Sequence, residues 1–257
     1  MTTVLLALLL AGPLETWREE IEKAGRLAVY LLRTEPGAKL PEGTPYKAIV
    51  EQFTENPNFQ QQFAGAQALS ITYQEAGQRM SFVLLNRRQT PEADEGYVIA
   101  HEYGHLWLKA QRYPAPAYMG GPSSCLSILA GDAVQHVLIR EEMDRRGIDW
   151  RPAWKKTLEA ALGALEAREN PSTPERCQAL AQAVLWIDVA LGMPAAEWPG
   201  RERFLDLLGR RFPVIQPVAR ELAAELAKGG LAEKAAHQRA LEMTFGRLKA
   251  MALTLPK

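Results

Sequence analysis

GYVIAHEYGHLWLKAQ, residues 96–111, is the stretch on which the reading of this chain turns. Upstream, Thr90-Pro91-Glu92 reads as a helix start: threonine suits the N-cap, proline the first helical position, and Asp94 and Glu95 favour the positive end of the helix dipole. The pattern predicts a helix running to about Arg112. On such a helix His101 and His105, four residues apart, lie on one face about one turn from each other, so both imidazoles can address one point. Glu102 swings to the flank of that face. The apolar residues on either side make the helix mostly buried, and there two histidines and a carboxylate are costly without partners. A metal ion held by both rings is the partner this spacing suits, with the Glu102 carboxylate able to take a proton from metal-bound water without itself binding.

Working outward, ALSITYQEAGQRMSFVLLN, residues 68–86, gives two runs rich in Ile, Thr, Tyr, Phe and Val around a turn, which is the signature of a hairpin. Before it, Leu14 to Arg33 carries Trp17, Ile21, Leu27 and Leu31 at roughly helical spacing and predicts one amphipathic helix. A Pro/Gly-broken stretch follows, and then ENPNFQQQF, a short helix or loop. On the other side, YPAPAYMGGPSS is a loop, with Ser123 or Ser124 as the cap of a second helix, CLSILAGDAVQHVLIREEMDRR, closed by Gly147. Beyond Trp150, Ala/Leu/Glu/Arg-rich segments broken by Pro and Gly predict four or five helices and no strand.

The 257 residues are 47% hydrophobic and 23% charged, ordinary for a globular protein. Thirty basic residues balance thirty acidic ones, which leaves no basic field for nucleic acid or an anionic membrane. Cys125 and Cys177 lie far apart without a C-x-x-C spacing; a single disulfide between them stays open. The opening VLLALLLAG is too short to span a bilayer, so no integral membrane span is expected. Residues 1–13 read equally as a buried first segment or as an export signal that lacks the usual preceding charge. The compartment and the oligomeric state stay open.

IAHEYGHLWL resembles the active-site helix of zincin metallopeptidases, particularly the gluzincin-like HExGH form of ImmA/IrrE-type bacterial peptidases. The resemblance covers roughly Leu69 to Gly147. It implies zinc as cofactor, His101 and His105 as ligands and Glu102 as general base, and Gly104 matches the small residue between the ligands. The longer metzincin signature is absent, because Leu108 and Gln111 stand where its glycine and third histidine would be. The fold expected is α+β and predominantly helical: a small zincin-like sheet packed on the HExxH helix, residues 14–149, followed by a helical region, residues 150–257.

A catalytic zinc site has three protein ligands and an open position. The second helix offers Asp132, His136, Glu141 and Glu142. If it runs antiparallel to the first, Asp132 at about 12 Å from the connecting loop is nearly level with His105 at about 10 Å, and His136 at about 18 Å with His101 at about 16 Å. Glu141 and Glu142 overshoot. Asp132 is the preferred third ligand, with His136 behind it as a partner; His136 as the ligand, oriented by Asp132, is the alternative. Among Tyr97, Tyr113 and Tyr118, Tyr118 in the Pro/Gly loop is the best placed to stabilise an oxyanion. His237 reads as a surface histidine, and Trp154, Trp186 and Trp198 as packing residues. The expected activity is zinc-dependent hydrolysis of peptide bonds in a peptide or protein substrate. The alternative is a non-catalytic zincin-fold module that binds or regulates another protein, against which Glu102 argues, since a purely structural metal site has no use for a base.

Overall fold

The computed structural model describes residues 12–40, 43, 45–75, 77–115, 125–167 and 175–255. The fold is α+β and mostly helical, with one small mixed sheet, and it divides into two compact units. The first comprises Met1–Arg112 with Glu142–Asp149, the second Tyr113–Glu141 with Trp150–Lys257.

In the first unit the helix expected from Leu14 to Arg33 stops early. Helix α1 spans Pro13–Gly25, Arg26 takes a left-handed conformation (φ 49°), and Ala28–Thr34 is a strand, β1. Local chemistry accounts for the difference. A side chain at Gly25 would meet Leu27 at 2.9 Å, so glycine permits the turn, and the Val29 amide donates to the Glu22 carboxylate at 2.9 Å. Val29 and Tyr30 then suit a pleated strand better than another helical turn. Trp17 and Ile21 are fully buried.

Helices α2 (Lys47–Glu55) and α3 (Pro57–Gly65) follow, the latter capped by the Asn56 side chain, which accepts from the Phe59 amide. The polar run is therefore a helix. The expected hairpin forms from β2 (Ala68–Glu75) and β3 (Gln78–Asn86), antiparallel, while β1 pairs parallel to β3 on its other side to give the order β1-β3-β2. Central β3 is buried on both faces: Met80, Phe82 and Leu84 join Ile49, Phe53, Phe59 and Phe63 in one apolar cluster with α2 and α3. Helix α4 (Glu95–Ala110) packs against β2, β3 and α1.

The start of α4 departs from the capping expectation. A single 3-10 turn, Glu92–Asp94, precedes it, and Thr90 is buried with its hydroxyl donating to the Gln67 carbonyl at 3.0 Å. Buried in that position, the hydroxyl serves the end of the chain entering β2 rather than the helix. The helix ends at Ala110, with Arg112 left-handed at φ 60°.

Helix α5 (Cys125–Arg145) closes as expected on Gly147, whose φ of +68° turns the chain so that the Ile148 amide reaches the Met143 carbonyl at 2.9 Å. The proposed caps Ser123 and Ser124 and the apolar residues 1–11 lie outside the described residues. Five helices complete the second unit, with no strand among its described residues: α6 (Arg151–Glu166), α7 (Arg176–Gly192), α8 (Arg201–Arg211), α9 (Gln216–Leu226) and α10 (Lys234–Leu253). Cys125 and Cys177 form a disulfide across 52 residues, a closure worth about 4 kcal/mol in chain-entropy terms. No described helix is long and apolar enough to cross a membrane.

Candidate metal centre

Helix α4 brings His101 and His105 together as the spacing requires. Their Nε2 atoms stand 3.2 Å apart and their ring centroids 4.9 Å, with planes at 77°. A tetrahedral zinc ion bound at about 2.0–2.1 Å to each of two nitrogens holds them about 3.3 Å apart. The donor geometry therefore fits such an ion. Both rings are half-buried. Ligation by Nε2 needs each proton on Nδ1, since a metal takes the lone pair of a neutral imidazole.

Glu102 follows His101 and is buried to 9% exposure. Together with His101, Tyr97, Val98, Gln67 and Ala68 it lines an open cleft of about 190 Å³. One wall of that cleft is thus the start of edge strand β2, and Thr90 holds it through the Gln67 carbonyl. Asn86 fixes the same corner, donating to the carbonyls of Phe63 and Ala66 at 2.8 and 3.0 Å. Tyr97, one turn before His101, tilts its ring toward that imidazole at 6.4 Å between centroids.

Within the second unit, α5 and α7 carry a polar cluster of their own. His136 Nδ1 lies 2.8 Å from one oxygen of Asp188, and Arg140 Nη1 donates to the other at 3.0 Å. All three side chains are at most 16% exposed. Arg140 also lies over the Trp154 ring at 5.3 Å, and Gly192 leaves it room, since a Cβ there would stand 2.7 Å from Nε. Burial works against charge on His136, but the Asp188 carboxylate outweighs it, helped by Asp132, so the imidazole pKa is raised. Burial likewise works against charge on Asp188, and His136 and Arg140 together hold its carboxyl below the ordinary value.

The sequence names His136 but not Asp188. A lone carboxylate in the apolar helix ALAQAVLWIDVALG was the available signal, because a buried charge requires a partner. Asp132, half-buried on α5, acts on His136 through its charge. The other readings divide. Glu142, 2% exposed, is taken up by Arg145 and Arg146. Tyr118 lies outside the described residues. Tyr113 donates its phenol to the Ala232 carbonyl at 2.9 Å. His237 is fully buried rather than on the surface: its helix α10 turns it inward against the Tyr113 ring, 5.2 Å between centroids. Trp186 and Trp198 are buried as packing residues, and Trp154 is half-buried.

No protein-family model, curated protein or solved structure matches the chain.

Proposed function

We propose that the chain is a zinc-dependent peptidase, with His101 and His105 as ligands, a third ligand drawn from Asp132 and His136, and Glu102 as the general base. The observation that carries this reading is the pair of Nε2 atoms 3.2 Å apart on α4, with a buried carboxylate beside them in an open cleft. Three histidines with one position left for water is a common catalytic zinc set. His136 is preferred to Asp132 as third ligand because Asp188 occupies its Nδ1 and leaves Nε2 for coordination, the usual way a carboxylate orients a metal-binding histidine.

Zinc at such a site supplies Lewis acidity, lowering the pKa of water and polarising a carbonyl. The protein residues do the rest. Glu102 takes the proton from the attacking water and hands it to the leaving amine, a transfer that suits a partly desolvated carboxylate at the cleft wall. Tyr97 bounds the space beside it. A peptide is favoured as substrate because the cleft wall is the start of edge strand β2, along which an extended backbone adds by main-chain hydrogen bonds.

The test is metal content and turnover. The purified protein should hold about one zinc per chain and cleave members of a mixed peptide library. Glu102→Gln should retain the zinc and lose turnover by roughly 10²-fold or more, since glutamine matches the shape but accepts no proton. A chain that takes up no zinc on reconstitution, or a Glu102→Gln variant that cleaves like the wild type, overturns the proposal.

A further inference from the structure

The disulfide and the His136–Asp188 pair obey one register. Eleven residues separate Cys125 from His136 on α5, and eleven separate Cys177 from Asp188 on α7. Eleven residues are about three turns, or some 16 Å of rise, which returns a side chain to within about 20° of its starting face. The cysteines bridge at a Cα–Cα distance of 5.8 Å near the start of both helices, and the imidazole and carboxylate meet three turns along both. The two helices therefore run side by side in the same direction. One turn further, Arg140 returns to Asp188, and Gly192, four residues beyond Asp188, leaves room for the guanidinium.

We propose that the Cys125–Cys177 disulfide is a positioning device: it locks the register of α5 against α7 so that Asp188 stays opposite His136 and fixes which ring nitrogen carries the proton. A slip of one residue turns either side chain by about 100° and breaks the 2.8 Å contact. The lock makes the orientation of His136 depend on thiol state. Disulfides persist in oxidising surroundings and are lost in reducing ones, and the change is balanced: a two-electron reductant such as a dithiol gives up two electrons and two protons and leaves two thiols. The consequence for metal binding rests on the reading of His136 as a ligand.

The experiment compares the wild type with Cys125→Ser/Cys177→Ser, which removes the bridge without adding thiol ligands. The first readout needs no metal: the nitrogen-15 shifts of the His136 ring, at a pH where it is neutral, report the fraction protonated at Nδ1. The second is zinc affinity, by competition with a calibrated chelator. The expected result is a folded variant whose His136 signal moves from one tautomer to a mixture and whose zinc affinity falls roughly 10-fold to 100-fold, the range for losing a ligand's supporting partner. An unchanged His136 signal overturns the proposal. A changed signal with unchanged zinc affinity upholds the lock and removes His136 from the ligands. If the wild type binds no zinc at all, the peptidase reading falls, and the nitrogen-15 comparison still decides the lock. Should the double variant not fold, the oxidised protein is reduced in its folded state with a phosphine. General loss of helical circular dichroism on reduction identifies the bridge as a staple of the whole unit and overturns the local role.

Discussion

His101 and His105 owe their meeting to four residues of one helix, whereas His136 meets Asp188 across 52 residues and two helices. The first arrangement costs little to specify, because helical geometry alone places i and i+4 side chains on one face. The second needs register, and the chain supplies it three times over along α5 and α7: the disulfide, the imidazole–carboxylate contact and the Arg140 bridge. A local pair survives most changes elsewhere in the fold. A pair built between helices depends on whatever holds their register.

The largest effect should come from the local pair. His101→Ala with His105→Ala removes both converging nitrogens, so stoichiometric zinc should be lost, and with it any metal-dependent gain in melting temperature. Measured zinc content near one per chain in that double variant would mean that the metal sits elsewhere. Next comes the third ligand. His136→Ala should weaken zinc more than Asp132→Ala in a chelator competition, since Asp132 acts on His136 through its charge whereas Asp188 orients the His136 ring. The reverse order would make Asp132 the ligand.

These two steps also separate what the sequence shows from what it hides. HEYGH states its geometry in its own spacing, and the hairpin and the Gly147 stop are equally local, so all three are legible. β1 is hidden because Leu27 and Leu31 happen to continue the spacing of Trp17 and Ile21, and only the left-handed turn at Arg26 ends the helix. Asp188 is hidden because nothing near it in sequence reveals which buried cation it faces. His237 is misread for the related reason that an Ala-rich helix does not disclose which face it buries.

A smaller effect is expected from loosening a support. Asp188→Asn keeps an acceptor for the His136 Nδ1 proton but leaves the Arg140 guanidinium without its counter-charge in a site at most 16% exposed. Stability should fall, by less than the roughly 3–5 kcal/mol typical of removing a buried partner outright, because the amide still accepts a hydrogen bond. Zinc affinity should drop by about 10-fold to 100-fold. Melting curves of the metal-free protein and chelator competition measure the two separately. Loss of zinc affinity without loss of stability would show that the charge of Asp188, rather than its packing, serves the metal.

The smallest effect belongs to His237, the counterpart of His136 within the second unit: also buried, but without a carboxylate. Its ring lies against Tyr113, and the Lys234 ammonium lies over the Tyr113 ring at 5.7 Å from its centroid. Burial pushes its pKa down, and the nearby Pro114 carbonyl only partly restores it. The sign follows from comparing the folded and unfolded chains. In the unfolded chain the imidazole takes its proton near about pH 6.5, whereas in the fold it resists until a lower pH. Stability is therefore whole above about pH 6.5 and is lost as pH falls below it, by at most about 1.4 kcal/mol per pH unit while the two states differ by one proton. His237→Phe keeps an aromatic ring against Tyr113 and removes the titration. Because both proteins keep His136 and Asp188, those contributions cancel in the difference between their melting temperatures. That difference should stay constant from neutral pH upward and shift in favour of the variant as the pH drops below about 6.5. A difference that does not change across this range would mean that the His237 proton is bound equally in both states, and that burial without a carboxylate is not what sets this histidine apart from His136.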